Sequence, residues 1–193
     1  MLEKFSVEAW VAAVKHNRPA VAPAVPSAVR MLLDADVDPA DLASLRALIS
    51  GTAPLPADLV DAFLDKYGIP ICSNYGATEF AGAIAGWTID DFRSYWEQKR
   101  GAVGRVHGDI EARVVDPDSG AILSNGEEGL LELKGKQLNN DMQWLRTPDR
   151  AVLDADNFLY IKGRADNAII RGGFKVHPDD VVRVLNDHPA IRE

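Results

Sequence analysis

No apolar run in this 193-residue chain approaches the roughly 18–20 residues that a membrane-spanning helix needs. The start, MLEKFSVEAW, lacks the succession of charged, apolar and small residues that marks a secretory signal, so a cytoplasmic location is the expectation. Cys72 is the only cysteine, which excludes an internal disulfide and a multi-cysteine metal site. Its neighbours Ile69 and Ile71 point to a thiol buried as a small apolar group. Positive charge is scarce as well: 21 Lys and Arg against 29 Asp and Glu leave a net charge of −8. That balance argues against a nucleic-acid partner, since phosphate binding needs clustered cations. An anionic ligand must instead be held locally, by backbone N–H groups, a metal or one or two placed cations. His16, His107, His177 and His188 show no metal-ligand spacing, which argues against a metallohydrolase. Internal repeats, low-complexity linkers and any pattern that reports oligomeric state are also missing.

What is present is alternation. Ser6 reads as the N-cap of a helix in which Val7, Trp10, Val11 and Val14 recur at helical spacing. AVAPAV reads as a short strand, SAVRMLLDA as a helix, LRALIS at 45–50 as a buried strand ending at Gly51, and IPICSNYG at 69–76 as the next strand. Between the last two, PADLVDAFLDKYG places Leu59, Val60, Phe63, Leu64 and Tyr67 on one helical face, with Pro56 near its start and Gly68 just past its end. Strands and helices alternating at this spacing imply right-handed crossovers and a parallel sheet. From about 101 the period changes to two around the turn signals Asp-Pro-Asp-Ser-Gly and Ser-Asn-Gly, which predicts an antiparallel β layer. Pro178, Asp179 and Asp180 then open a further helix. The fold class expected is α/β: part of a parallel α/β sheet subdomain (1–98), an antiparallel β subdomain (99–165) and the start of a small α+β C-terminal domain (166–193). DDFRSYWEQKR at 90–100 reads as a solvated, mixed-charge face. Trp87, Trp96 and Trp144 read as loop residues used in packing.

In open parallel sheets, ligands bind beyond the C-terminal ends of the strands. Two stretches fall there, SGTAPLP at 50–56 and SNYGATEF at 73–80. In the second, Tyr75 offers an aromatic face, Gly76 a permissive backbone, Thr78 a hydroxyl and Glu79 a carboxylate suited to Mg²⁺. The same residues also suit an ordinary strand-to-loop turn with Glu79 solvated. Further on, a hairpin is expected to bring Asp149 of RTPDR to Arg164 of KGRAD. That pair could hold ribose hydroxyls and phosphate oxygens, or be a surface salt bridge.

The order of these signals narrows the choice. YGATE at 75–79, RTPD at 146–149 and GRADNAIIRGGFKVHPDDVV at 163–182 resemble, in wording and sequence, the motifs of the adenylate-forming superfamily of acyl-CoA synthetases, adenylation domains and luciferases. SGTAPLPADLVDAF resembles that family's Ser-Gly-Gly-Ala-Pro-Leu stretch, and the last motif is most similar to bacterial fatty-acid or other acyl-CoA ligases. The resemblance implies ATP, Mg²⁺ and coenzyme A as ligands, with a carboxylic acid as substrate. It implies that Gly51, Thr52, Ala53 and Pro54 line an adenine pocket, with Asn74, Tyr75 and Gly76 also at the nucleotide and Tyr75 packing on the base. By the same resemblance, Thr78 contacts the α-phosphate, Glu79 binds Mg²⁺, Asp149 takes the ribose hydroxyls and Arg164 supports ribose or phosphate. Asp166 matches a hinge, Gly172 and Gly173 border a pantetheine path, and Val25, Pro26, Ala81 and Gly82 wall an acyl pocket.

The chain also departs from the pattern. Pro148 stands where Thr-Gly-Asp has glycine, removing an N–H one residue before Asp149. Asp180 replaces the usual glutamate. No Ser/Thr/Gly-rich phosphate loop precedes residue 51, and no late lysine in the matching context follows, since Lys162 and Lys175 lie in other motifs. Catalysis at phosphates relies on preorganised positive charge, so the expectation is an internal fragment of an acyl-CoA ligase, inactive by itself. The alternative is a stand-alone, non-catalytic nucleotide-binding or interaction module.

Overall fold

A computed structural model of the chain describes residues 5–77, 80–138, 142–165, 169–171, 174–176, 178–189 and 191. They belong to two compact units, Met1–Arg105 and Val106–Glu193.

The first unit is built as the alternation predicts. α1 (Val7–Asn17) starts at Ser6, whose side chain accepts the Ala9 N–H, and ends at Arg18 in the left-handed region. β1 (Val21–Pro23) follows, then α2 (Pro26–Asp34), β2 (Ala47–Ser50), α3 (Ala57–Tyr67) and β3 (Ile71–Ala77). β1, β2 and β3 are parallel and adjacent, with Val21 opposite Ala47 and Leu48 opposite Ile71. α3 stops where the sequence says it should, at Gly68 with φ 66°. Leu59, Val60 and Phe63 of α3 and Val29 and Leu32 of α2 are buried, as are Ala22 and Leu48 of the sheet. The Tyr67 hydroxyl donates to the Leu32 carbonyl at 3.2 Å and ties α3 to α2.

Two features of this unit differ from the sequence expectation. β3 turns back into an antiparallel β4 (Gly82–Gly86), so the sheet is mixed rather than purely parallel. The 90–100 segment is not a solvated face. It contains α4 (Ile89–Tyr95), whose Phe92, with Trp96 at the C-cap, is buried and stacked at a centroid separation of 4.8 Å; Trp87 meets both rings edge-on at 5.7 Å. The charged residues misled because they alternate with aromatics. Trp96 donates to Asp61 at 2.7 Å, and Arg100 pairs with the same carboxylate.

β5 (Gly104–Val106) leads into the second unit. There β6 (Ile110–Val115), β7 (Glu128–Gly135), β8 (Leu145–Leu153) and β9 (Phe158–Arg164) form the expected antiparallel layer in the order β9-β8-β7-β6. A small hairpin of β10 (Ile169–Arg171) and β11 (Phe174–Val176) precedes α5 (Pro178–Asn186), which opens at Pro178 as predicted. Among the described residues, one charged side chain is buried within the β layer. Glu132 on β7 accepts from Arg113 Nε at 2.7 Å and Arg146 Nε at 2.9 Å, while the Arg113 guanidinium lies 4.0 Å from the centre of the Trp144 ring. Burial opposes ionisation of Glu132, but the hydrogen bonds from Arg113 and Arg146 outweigh it and hold the carboxyl below the ordinary glutamate range.

A group with a depressed folded-state pKa contributes stability that is complete above its unfolded pKa and lost as pH falls through the folded value. Glu132→Gln should therefore destabilise the fold by about 1–3 kcal/mol at pH 7. The gap between variant and parent should close on acidification through the glutamate range, which urea titrations at several pH values will show. A gap that stays constant down to pH 3 would remove Glu132 from this role.

Candidate nucleotide and acid site

The C-terminal ends of β1, β2 and β3 share one edge of the first unit, and most of the predicted site residues of this unit stand there. Val25 follows β1 as the N-cap of α2 and is 44% exposed, and Pro26 fills the first helical position. Gly51 follows β2, which is paired to β3 through Ser50 and Ser73. Thr52, Ala53 and Pro54 continue from it into solvent. A Cβ on Gly51 would overlap Asn74 Oδ1, the far end of a flexible side chain, so a larger residue here needs that carboxamide to swing aside. Gly76 is constrained from the other side. Its Cβ would overlap the Gly82 carbonyl and lie 2.6 Å from Ala83 Cα, at a register shift between Tyr75 and Gly76. The half-buried Tyr75 ring packs against Phe80 at 6.1 Å. Ala81 and Gly82, at φ 56° and 134°, form the turn into β4. Thr78 and Glu79 lie outside the described residues, as do Asp166, Gly172 and Gly173.

Within the second unit, the hairpin of β8 and β9 sets Asp149 and Arg164 directly opposite each other. Arg164 Nη1 lies 3.9 Å from Asp149 Oδ1, with the carboxylate 14% and the guanidinium 49% exposed. Pro148 precedes Asp149 within β8. On β7 only Leu131 separates the partners of Arg150 and Arg146, whereas on β8 three residues do, so Pro148 falls in a bulge where no ladder N–H is needed. Thr147, which sequence reasoning passed over, anchors this bulge. Its hydroxyl donates to the Leu131 carbonyl at 3.0 Å and accepts the Asp149 N–H at 3.2 Å. A threonine before X-Asp in a strand was the available signal.

Other features bear on the chemistry. Ser50 at the root of the Gly51 loop is 1% exposed, and its hydroxyl has no hydrogen-bond partner among the described residues. Cys72 is buried, and burial pushes its thiol up to about 11, which makes it an inert core group. Among the described residues no group of three or more His, Cys, Asp or Glu could hold a metal ion. A cleft of about 510 Å³, bordered by Leu45, Leu64, Phe92 and Trp96, opens at the opposite, N-terminal edge of the parallel strands and includes none of the predicted site residues. No helix among the described residues is long and apolar enough to cross a membrane.

A mixed α/β sheet with glycines at the C-terminal ends of its parallel strands is a framework on which α/β domains bind ligands. Residues 1–140 match the family model described as AMP-binding enzyme, and the chain belongs to that family. The 4-coumarate–CoA ligase 3 of Oryza sativa subsp. japonica is 31% identical over 209 aligned residues, which take in 100% of this chain and 38% of that protein. Among solved structures, ATP-bound MatB from Rhodopseudomonas palustris superposes with a TM-score of 0.83 at 27% identity, over 100% of this chain and 40% of that one. O-succinylbenzoate coenzyme A synthetase (MenE) from Bacillus subtilis, in complex with ATP and magnesium ion, gives 0.80 at 26% identity, over 100% and 41%. The chain thus spans about two fifths of the length of these relatives.

The Gly51–Asn74 contact can be tested without any ligand. Gly51→Ala should destabilise the chain by about 1–3 kcal/mol through overpacking, and Asn74→Ala should relieve most of that loss in the double variant. Additive losses in chemical denaturation would show that the two residues do not compete for one space.

Proposed function

We propose that this chain is the part of an AMP-forming acid–thiol ligase that runs from the middle of the large nucleotide-binding domain, through its β subdomain, to the start of the small C-terminal domain. The division 1–98, 99–165 and 166–193 follows that reading. The whole enzyme would activate a carboxylic acid, fatty or aromatic, in two steps. A carboxylate oxygen attacks the α-phosphorus of ATP, and the bond to pyrophosphate breaks to leave acyl-AMP. The coenzyme A thiolate then attacks the acyl carbon, forming a thioester and releasing AMP. The observation that carries the reading is the strand-end edge of the first unit, where Gly51 and Gly76 leave no room for side chains and where family membership predicts an adenine nucleotide. The names of the relatives, a 4-coumarate–CoA ligase and an o-succinylbenzoate coenzyme A synthetase, favour an organic acid as substrate.

The roles are those that the resemblance to the adenylate-forming superfamily implies. Backbone at Gly51, Thr52, Ala53 and Pro54, with Asn74 and Gly76, lines the base, on which the Tyr75 ring packs. The Thr78 hydroxyl contacts the α-phosphate. Glu79 would hold Mg²⁺, which offsets charge on the triphosphate when bound. Asp149 accepts the ribose hydroxyls, because a carboxylate fixed by the Thr147 bulge can accept two hydrogen bonds at once. Arg164 supports ribose or phosphate, Asp166 acts as the hinge, and Gly172 and Gly173 leave the thiol's path clear. Val25, Pro26, Ala81 and Gly82 wall the acid.

The full-length protein encoded by the gene should exchange pyrophosphate into ATP only when an organic acid is present. Glu79→Gln should lower that exchange by roughly 10²–10³, and Asp149→Asn should raise the KM for ATP. A wild-type protein that exchanges with no acid in a broad panel, yet binds ATP tightly, would favour a non-catalytic nucleotide-binding module instead.

A further inference from the structure

The cleft at the N-terminal edge of the parallel strands has no part in any role assigned so far. Its volume of about 510 Å³ lies in the range of small-molecule sites. The floor is apolar, formed by Leu45 ahead of β2, Leu64 of α3 and the stacked rings of Phe92 and Trp96. Its one side-chain donor, the Trp96 indole N–H, is already given to Asp61 at 2.7 Å. This floor therefore suits a hydrocarbon or aromatic body.

The rim carries charge of both signs. Arg46 and Arg93 stand on it, and so does Glu97. The side chains of Arg46 and Glu97 make no hydrogen bond or ion pair among the described residues. Arg93 meets Asp90 at 4.0 Å, with the guanidinium 63% and the carboxylate 96% exposed, a contact too long and too wet to hold either partner. Gly68, where α3 ends, also borders the cleft, with nothing within 4 Å of the place a Cβ would take. A helix end of this kind presents carbonyls and a partial negative charge. Lys66, the basic residue of that last turn, is engaged elsewhere, by the Leu33 carbonyl and Asp36. A simple carboxylate would satisfy the two arginines but face Glu97 and the end of α3. A simple amine would have the opposite fault.

We propose that this cleft binds a free α-amino acid with an apolar side chain. Arg46 and Arg93 hold its carboxylate, Glu97 and the carbonyl end of α3 hold its ammonium, and its side chain lies on the floor of Leu45, Leu64, Phe92 and Trp96. The site is at the edge of the strands opposite Gly51 and Asn74, and it stands whether or not the adenylate-forming reading holds.

Ligand-observed NMR titration of the full-length protein tests it, with L-phenylalanine and L-leucine as probes. Both should bind with a Kd of about 1 mM, as expected for ligands of this size in an open cleft. N-acetyl-L-phenylalanine, which lacks the ammonium, and phenethylamine, which lacks the carboxylate, should bind at least about tenfold more weakly. Saturating ATP should leave the amino-acid affinity unchanged to within about twofold. Arg46→Ala and Glu97→Ala should each weaken both amino acids by about tenfold while Tm stays within about 2 °C, since both side chains are exposed. Absence of saturable binding of either amino acid below about 10 mM would overturn the proposal. So would N-acetyl-L-phenylalanine or phenethylamine binding as well as L-phenylalanine, or displacement by ATP. Unchanged affinity in both variants would place the amino acid at another site and overturn it too.

Discussion

The contact between Gly51 and the Asn74 carboxamide is the constraint on which the candidate edge depends. β2 and β3 are parallel neighbours, and their separation is fixed by the ladder between them. Where β2 ends, the polar side chain of Asn74 leans into the space that any Cβ at 51 would need. On the far side of β3, Gly76 meets the backbone of Gly82 in the same way. Near its C-terminal end β3 thus has a glycine beside the Asn74 side chain on the β2 side and a glycine of its own against the β4 backbone on the other.

The β unit solves a different problem, that of holding a carboxylate at a set place on an antiparallel hairpin. Glu132 and its two arginines lock the middle of β7 to β6 and β8. The bulge at Pro148 then lets β8 shift register, and the Thr147 hydroxyl ties the shifted stretch back to Leu131. Asp149 emerges opposite Arg164 because the ladder resumes correctly after the bulge. A proline that removes a ladder donor is harmless here, since the bulge has no ladder bond at that point.

Much of this was legible from residue order. Ser6, Gly68 and Pro178 mark helix ends by chemistry that acts within a few residues, and the structure obeys each. The pairing of Asp149 with Arg164 followed from a hairpin whose strands and turn were visible. Missed features depend on partners distant in sequence. The return strand β4 is Gly- and Ala-rich and carries no alternation, so only its pairing with β3 defines it. The burial of Phe92 and Trp96 depends on Asp61, some 35 residues earlier, accepting from the Trp96 indole. Glu132 looks like any exposed strand glutamate until β6 and β8 bring Arg113 and Arg146 to it. The positive φ of Thr52 is likewise invisible in a sequence, where nothing marks that conformation at a β-branched residue.

The central claim is that the protein containing this chain forms an acyl-adenylate. Isotope transfer tests it directly, because attack of a carboxylate oxygen on the α-phosphorus followed by thiolysis leaves that oxygen on AMP. With an acid labelled in its carboxylate by ¹⁸O, the account predicts AMP carrying one labelled oxygen and a thioester retaining the other. Label found in pyrophosphate or inorganic phosphate, or turnover with unlabelled AMP, would contradict it.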